Sequence, residues 1–413
     1  MKIAVIGAGI VGMCTAYELL QDGHEVIVFE RNASVAQETS FACAGSLSPS
    51  LSHPWAFPSR TSHSWLRNMA QASGATLGKG LSLGDLRWLY RWKTAGKVHA
   101  AALTTAHKLA AYSLERLHGI ALKESLTHEQ SQGHMLLWKS EVAQAKYQEQ
   151  LATLKEYGLV AQALSPGEAR AIEPALQADY EFQSATYFPN DEVGNCRQFA
   201  HLLKDKLTEA GCQLRFGTAI SGIDHSQGIQ LHTATGTSER VDQMVICAGA
   251  GSASLSRSNK PLPLTNLWSY SLSAPIREPL NAPRSAVQDM NNRMTISRMG
   301  GRVRVSGGAE LGSKIKGNNA NAVQQLYRTL NTLFPGAADF SRNAQLWKGA
   351  SQFTPDGLPI IGPGTNPGVW LNLGHGHNGW SMACGSARLI ADLIAGRQAN
   401  LETRTLAVQR FNS

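Results

Sequence analysis

Three glycines near the start of the chain are the first residues whose spacing indicates chemistry. Gly7, Gly9 and Gly12 form G-x-G-x-x-G between a predicted strand at Lys2–Ile6 and a predicted helix. One glycine allows a tight turn, the next lets a pyrophosphate approach the backbone, and the third lets the helix pack on the strand. Glu30 ends the next predicted strand, where a carboxylate can accept a hydrogen bond from a ribose hydroxyl. The segment therefore predicts a dinucleotide site, and the carboxylate disfavours NADP and leaves FAD or NAD.

A second fingerprint of the same form lies at 374–379, between a predicted strand and a predicted helix over 380–395. No later strand carries an acid, so we reject a second dinucleotide site. Instead, we expect the N-terminus of this helix to point at another part of the same cofactor. A reduced flavin gathers negative charge that a helix N-terminus stabilises, and His375 and His377 could add polar contacts. The alternative is a glycine-rich crossover that serves packing alone.

A single dinucleotide site leaves no separate nicotinamide domain, so we expect electrons to enter a flavin from a small organic substrate. The sequence contains neither H-E-x-x-H nor a G-x-S-x-G elbow, and its six cysteines form no C-x-x-C pair. We therefore predict no metal site, no disulfide framework and no serine-hydrolase chemistry.

Composition sets the size of the fold that must position these residues. The chain has 413 residues, which at about 150 residues per domain gives two to three domains. Hydrophobic residues make up 43% and charged residues 16%, which excludes a disordered chain. No apolar run reaches the length of about 18 residues that a membrane-spanning helix requires. The opening apolar run is interpreted as a strand and not as a signal peptide, so a cytoplasmic protein is expected.

The net charge of +8 is concentrated in residues 59–109, which hold eight basic side chains and one acid. As a helix, the segment DLRWLYRWK within this range presents a broad apolar arc that contains Trp88 and Trp92, with Arg87 and Arg91 opposite. The interpretation we favour is a helix packed on the substrate domain with a solvated basic face. The alternative is peripheral contact of 59–109 with the inner face of the plasma membrane, which would suit electron transfer to a quinone. Nucleic-acid binding is not expected, since no motif accompanies the patch.

Nine sequence blocks between Met1 and Arg397 carry a resemblance to a known family. They are VIGAGIVG, ETSFACAGSLSPS, HPWAFP, FPNDEVGNC, ICAGAGS, YSLSAP, SRMGGRVRVSGGAEL, TPDGLPIIG and LGHGHNGWSMACGSARL. In this order they resemble the D-amino acid dehydrogenase (small subunit) family, within the broader superfamily of D-amino acid oxidase and glycine oxidase.

The resemblance implies FAD as the cofactor and hydride transfer from the substrate Cα to flavin N5. It also implies a set of cofactor-binding residues. These are Gly7, Gly9, Ile10, Val11, Gly12, Glu30, Arg31, Ser40, Ala44, Gly45, Ser46, Leu47, Ile220, Ala248, Gly249, Gly374, His375, Gly376, His377, Asn378, Gly379 and Trp380.

One departure from the family pattern concerns the substrate carboxylate. Before TPDG the superfamily often has G-x-R-P, whose arginine forks onto that carboxylate, but here Ser351 takes the arginine's place. A serine cannot supply a bidentate cationic clamp. Arg298, Arg302 and His377 are candidate replacements, and Tyr270 could donate its hydroxyl. The candidate catalytic residues are Tyr270, Arg298, His377, Ser351 and His53.

The implied activity is oxidation of a D-amino acid to the imino acid, which hydrolyses to a 2-oxo acid and ammonia, with electrons passed to a quinone-type acceptor. The first alternative is a dehydrogenase or oxidase of a secondary or cyclic amino acid, of the hydroxyproline, sarcosine or glycine oxidase type. A flavin-binding subunit without catalysis, or an NAD-dependent dehydrogenase, are further alternatives. The electron acceptor could equally be oxygen on sequence grounds.

The predicted fold is α/β, with a discontinuous Rossmann-like FAD-binding domain and a second α+β substrate domain whose sheet is mixed and largely antiparallel. The FAD-binding domain is assigned to 1–52, 189–260 and 345–413. The substrate domain is assigned to 106–188 and 261–344, with a basic, tryptophan-rich insertion at 53–105. Asp191 and Glu192 are expected in a turn that begins at Pro189, pointing apart and serving structure.

Overall fold

A computed structural model describes residues 1–54, 75–78, 81–95, 99–226, 228–255, 261–312 and 317–411. Trp55 and Trp65 of the predicted insertion lie outside these residues. The described residues form nine α-helices, numbered here in chain order. They are α1 (Ile10–Gln21), α2 (Leu83–Thr94), α3 (His99–Lys123), α4 (Glu141–Ala152), α5 (Pro166–Ile172), α6 (Cys196–Glu209), α7 (Ser252–Leu255), α8 (Ala320–Leu333) and α9 (Gly379–Ile394).

The first of three sheets is the predicted Rossmann-like sheet. Its strands are β1 (Lys2–Ile6), β2 (Glu25–Phe29), β8 (Gln213–Arg215), β12 (Gln243–Ile246), β18 (Ile360–Pro363) and β19 (Val369–Leu373). They lie in the order β18-β19-β12-β1-β2-β8, all parallel except β18. Alternate residues of β1 enter two different cores, Ile3 and Val5 on one face and Ala4 and Ile6 on the other. Burial of both faces is typical of a parallel sheet.

The second sheet has ten strands, most of them from segments assigned to the substrate domain. They are β3 (Ser46–Leu47), β4 (Ala75–Leu77), β5 (Gln130–Trp138), β6 (Gln162–Leu164), β7 (Ser184–Gly194), β13 (Thr265–Pro275), β14 (Ala286–Asp289), β15 (Met294–Met299), β16 (Arg302–Leu311) and β17 (Gln345–Phe353). Only the β14–β5 and β16–β4 pairs among them are parallel. The prediction of a mixed, largely antiparallel sheet is confirmed. A small third sheet holds β9 (Ile220–Asp224), β10 (Ile229–Thr233) and β11 (Ser238–Val241).

The limits of the predicted domains stay a prediction, but two strands pair differently from that division. β3 and β17 come from segments assigned to the FAD-binding domain, yet β3 hydrogen-bonds to β7 and β17 hydrogen-bonds to β13. The physical reason is that a strand belongs to the sheet that satisfies its backbone donors and acceptors. The chain therefore crosses between the two sheets beside the cavity described below.

The turn expected at Pro189 is wrong. Asp191 and Glu192 lie inside β7, which runs without interruption from Ser184 to Gly194. Backbone pairing with β5 on one side and β3 on the other outweighs the local turn preference of Pro-Asn-Asp. Successive strand residues face opposite sides of the sheet, so the two carboxyl groups still point apart.

Helices α1 and α9 follow the two glycine fingerprints and pack against each other. A fully buried carboxylate, Glu18 of α1, joins them through Arg388 of α9 at 2.7 Å and also contacts Arg116 of α3 at 2.5 Å. Arg388 further pairs with Asp22 at 2.6 Å. These ion pairs join the C-terminal end of α1 to the middle of α9, since a charge this deeply buried is stable only with its partners.

The basic helix α2 packs on the second sheet. Trp88 and Trp92 are each 1% exposed and join a core with Leu267 and Phe353. The indole of Trp88 donates to the Phe353 carbonyl at 2.9 Å. Most of the predicted apolar arc therefore faces protein, as the favoured interpretation expected. No helix among the described ranges combines the length and apolarity needed to cross a membrane.

Candidate functional site

A cavity of about 980 Å³ runs between the first sheet and the second. One end is lined by the first fingerprint and the loop after β2. The far end is lined by residues of β5, α4, β13, β15 and β16. The second fingerprint and the start of α9 also line it. Both glycine fingerprints thus meet on one cavity, as the sequence predicts.

Different surroundings explain why each of the three positions of the first fingerprint is a glycine. Gly7 adopts φ +107°, and a Cβ there would lie 2.7 Å from the Cys247 carbonyl oxygen. A Cβ on Gly12 would lie 1.9 Å from the Gly7 carbonyl oxygen, which is the close contact of helix and strand. At Gly9, by contrast, a Cβ would meet only the Ser40 hydroxyl, at 3.5 Å. The fold itself does not require glycine at position 9, so the requirement there comes from a ligand.

The Glu30 carboxylate is 9% exposed and is held at the end of β2 by backbone amides. Its Oε2 accepts from the Ala8 amide and its Oε1 accepts from the Asn32 amide, each at 2.8 Å. Arg31 extends beside it and pairs with Glu38. This arrangement presents a fixed carboxylate next to the glycine turn, where a ribose would lie.

Helices α1 and α9 share a feature at their N-termini. Neither N-cap residue, Gly9 or Asn378, caps its helix with a side chain, and neither helix has an acidic residue in its first turn. Five other helices are capped by the side chain of their N-cap residue: Ser82, Ser140, Ser165, Asn195 and Asn319. At α1 the Ser40 hydroxyl accepts from the Ile10 amide at 3.1 Å. The N-terminal residues of α1 and α9 line the cavity, where the helix dipoles attract negative charge.

These features fit FAD. At Gly9 the backbone is open to a pyrophosphate, and at Glu30 a fixed carboxylate can accept from a ribose hydroxyl. The N-terminus of α9 can stabilise the negative charge of a reduced flavin ring. All but two of the cofactor-binding residues that the sequence predicts line the cavity; Gly12 and Leu47 do not. Gly12 packs helix on strand, and Leu47 is 1% exposed within the core. The individual cofactor contacts stay predictions.

The loop after Ser40 lines the cavity and is tied to the second sheet and to α9. Ser297 of β15 donates to the Ala44 carbonyl at 2.8 Å, and Arg304 of β16 donates to the Cys43 carbonyl at 2.8 Å. Ser381 of α9 donates to the Ser46 carbonyl at 2.9 Å. The loop therefore couples the start of α9 to the second sheet.

Three of the candidate catalytic residues lie at the far end of the cavity together with His377, and one does not. Tyr270, Ser351 and His53 line it, but the Tyr270 hydroxyl already donates to Glu310 at 2.7 Å and accepts from the Asn319 amide at 2.9 Å. Both hydrogen bonds of the Tyr270 hydroxyl are therefore made to the protein itself.

Arg298 and Arg302 lie outside the cavity lining. Arg298 shares its face of β15 with Ile296, which packs in the core under α8, because strand residues alternate between faces. Arg302 donates to the Ser273 hydroxyl at 3.1 Å and to carbonyls nearby. Neither arginine replaces the one that is missing at Ser351.

His375 is neutral at physiological pH, because burial lowers its pKa to about 3. It faces the Ser386 hydroxyl at 3.1 Å. His377 is exposed to the cavity and packs edge-on against Phe353, with ring centroids 4.7 Å apart. His375 can position a ligand but cannot act as its cation.

Sequence reasoning missed two residues that line the far end, Tyr147 of α4 and Arg293. Tyr147 stacks on His53 with ring centroids 5.4 Å apart. Arg293 lies in the turn between β14 and β15. Neither stands in a motif, and Arg293 lies in a turn outside β15, so no local signal in the sequence indicates either residue.

The fold and this site define an FAD-dependent oxidoreductase, and the chain belongs to the FAD dependent oxidoreductase (DAO) family, which matches residues 2–393. It is 34% identical to a D-amino acid dehydrogenase of Granulibacter bethesdensis, with all of both chains covered. The chain is thus an amine-oxidising enzyme of this family, as expected.

Two solved structures share the fold. Glycine oxidase from Geobacillus kaustophilus has a TM-score of 0.76 at 20% identity, covering 99% of this chain and 98% of its own. L-proline dehydrogenase from P. horikoshii has a TM-score of 0.77 at 16% identity, covering 100% of this chain and 97% of its own. At these identities the likeness concerns the fold alone.

Proposed function

We propose that this enzyme oxidises a D-amino acid to the imino acid at the far end of the cavity and passes the electrons to a quinone. The imino acid then takes up water and releases a 2-oxo acid and ammonia. The full-length relative, a D-amino acid dehydrogenase at 34% identity, supports the substrate class. When bound, FAD supplies the acceptor for the hydride of the substrate Cα.

The observation that carries the proposal is the composition of the cavity wall. Among the described residues that line it, the only carboxylates are Glu30 and Glu38, both beside the first fingerprint. The far end has histidines and hydroxyl groups such as Ser269, Thr295 and Ser306. A wall without a strong base suits hydride transfer from a neutral amine, in which the protein contributes orientation and excludes water.

A second candidate is oxidation of a secondary or cyclic amino acid. Ser351 favours it, because this position lines the cavity with a side chain smaller than the arginine that forks onto a carboxylate in related enzymes. In that case a ring or an N-substituent would occupy the space next to Ser351.

Anaerobic reduction of the purified holoenzyme separates these candidates. The flavin absorbance is followed with matched D- and L-amino acids, with proline derivatives and with N-methyl amino acids, and dithionite serves as the reducible control. We expect several D-amino acids to bleach the flavin and their L-enantiomers to leave it oxidised. Bleaching by cyclic or N-methyl amino acids alone would support the second candidate. Bleaching by dithionite but by no amino acid would overturn both.

The acceptor is proposed from the outer face of α2. Leu83, Leu86 and Tyr90 are 75%, 50% and 71% exposed, and Arg87 and Arg91 are exposed beside them. An apolar and cationic face of this kind suits peripheral contact with an anionic membrane surface, where quinones reside. Reoxidation of the reduced holoenzyme is expected to be faster with a water-soluble ubiquinone analogue than with oxygen, and the reverse order would contradict a quinone acceptor.

A further inference from the structure

An amino-acid substrate brings a carboxylate into the cavity, and Ser351 cannot pair with it. Three cationic side chains line the cavity among the described residues: Arg31, Lys146 and Arg293. Arg31 pairs with Glu38 at the end that holds the first fingerprint. Lys146 is exposed on α4. Arg293 is the one partly buried cation at the substrate end.

The turn that carries Arg293 is held rigidly from below. Asp289, fully buried at the end of β14, accepts from the Asn291 amide at 2.9 Å and from the Asn292 side chain at 2.6 Å. The Tyr180 hydroxyl also donates to Asp289, at 2.9 Å. Arg293 itself adopts φ +53°, a left-handed conformation that a residue with a side chain adopts only when its surroundings enforce it. The fold therefore fixes the backbone from which the Arg293 side chain enters the cavity.

Arg293 also lacks a counter-charge. No carboxylate lies within 4.0 Å of its guanidinium in the described part of the chain, whereas Arg116, Arg388, Arg397 and Arg410 are all paired. Burial opposes its charge and lowers its pKa. A desolvated guanidinium without an anion is unfavourable, and the arrival of a carboxylate would relieve that cost.

Two aromatic residues complete the wall around it. Tyr147 interacts electrostatically with Arg293, and its hydroxyl lies 3.2 Å from Nε2 of His53. Both rings line the cavity. Tyr147 stays protonated, since burial raises its pKa, so its hydroxyl can donate. This combination of a planar fork and a neighbouring hydroxyl matches a carboxylate group.

We propose that Arg293 binds the carboxylate of the amino-acid substrate, so that this carboxylate faces the turn between β14 and β15 and not strand β17. The inference rests on the proposed function. It assigns a specificity-determining role to a residue on a different element from the one that carries the arginine in related enzymes. Substrates without a carboxylate would gain nothing from Arg293.

The test compares Arg293→Met and Arg293→Lys with wild type and with Arg277→Met, an exposed arginine outside the cavity lining. Flavin content and thermal melting first verify that each holoenzyme is folded. For the best reducing amino acid of the panel, we expect Arg293→Met to raise KM about 100-fold, from the loss of two charge-assisted hydrogen bonds. Arg293→Lys is expected to raise KM less, because it keeps the positive charge. The amine that corresponds to this amino acid without its carboxylate should be oxidised equally by all four proteins.

A second readout does not depend on turnover. Pyruvate, a 2-oxo acid, is titrated into each oxidised holoenzyme while the flavin absorbance band is followed, and Lys146→Met is included. We expect Arg293→Met to lose pyruvate binding while Lys146→Met and Arg277→Met keep it. Retained binding in Arg293→Met, or loss in Lys146→Met alone, would overturn the assignment. Since pyruvate binding is measured without substrate oxidation, failure of the proposed function would show separately, as a wild type that no amino acid reduces.

Discussion

Asp191 is a carboxyl group that the fold buries without a full set of partners. It is 2% exposed, its Oδ1 accepts from the Ser50 amide at 3.4 Å, and its Oδ2 has no partner among the described residues. Burial raises its pKa from 3.8 to about 7. The folded protein therefore keeps a proton that the unfolded chain releases, and stability falls as the pH rises from about 4 to about 7.

Asp191→Asn removes this titration while its amide oxygen can still accept from Ser50. We expect the variant to match wild type near pH 4 and to be more stable at pH 8, by at most about 4 kcal/mol for a shift of three pKa units. Urea unfolding of the two holoenzymes at pH 4, 6 and 8 and constant free FAD measures the difference. A variant that is less stable than wild type at pH 8 would contradict this prediction, because it would mean that the ionised carboxylate stabilises the folded protein.

At the scale of elements, the first fingerprint contains one glycine that the ligand requires and another that the fold requires. Position 9 has room for a methyl group, but position 12 does not. Gly9→Ala should leave the apoprotein folded while weakening FAD binding at least about tenfold, since the pyrophosphate would meet the added methyl group. Fluorescence titration of apoprotein with FAD gives the affinity, and circular dichroism verifies the fold.

Gly12→Ala is the matched contrast, because its methyl group would lie 1.9 Å from the Gly7 carbonyl oxygen. It should destabilise the apoprotein itself. If Gly9→Ala bound FAD as tightly as wild type, the first fingerprint would not contact the pyrophosphate.

The contact between α1 and α9 depends on Arg388, which joins Glu18 and Asp22. Arg388→Met leaves Glu18, a fully buried carboxylate, with Arg116 alone. We expect a loss of about 3 kcal/mol in unfolding free energy, measured by denaturant titration. Arg397→Met, which removes a more exposed partner of the same Asp22, should cost less than about 1 kcal/mol. Equal losses of unfolding free energy in the two variants would mean that burial of the Glu18–Arg388 pair does not matter for stability.

At the scale of the whole molecule, the outer face of α2 makes a testable surface. Arg87→Glu with Arg91→Glu should abolish sedimentation with vesicles that contain anionic lipid, because attraction becomes repulsion. Vesicles of neutral lipid and the double variant Arg404→Glu with Arg342→Glu serve as controls. Vesicle binding that survives these two substitutions would show that the outer face of α2 does not make the contact.

How much of this could be predicted depends on whether the signal is local. Gly7, Gly9 and Gly374 lie in short patterns that constrain the backbone directly, so the first sheet and the meeting of two fingerprints followed from sequence. Arg293 and Arg298 lie five residues apart near one strand, yet only Arg293 lines the cavity. Arg293 lies in the turn before β15, whereas Arg298 lies within β15, whose register is set by β14 and β16 and is revealed by no local pattern.

The same limit explains the turn expected at Pro189. Local propensity favours a turn, but β7 lies between β5 and β3, and the pairing partners come from distant parts of the chain. Ser351 shows the complementary case, in which a departure from a family pattern identified the missing cation without identifying its replacement.

The cofactor site at the N-termini of α1 and α9 also has a consequence for protein synthesis. The segment around Gly7 is translated first and the segment around Gly374 much later. Strand β12, which lies between β1 and β19 in the sheet, is translated between them. A ribosome adds roughly 5–20 residues each second, and domains near the N-terminus usually fold first. Here the leading strand and helix must wait until the segment around Gly374 has been made, so we expect the flavin to enter only after that segment has left the ribosome.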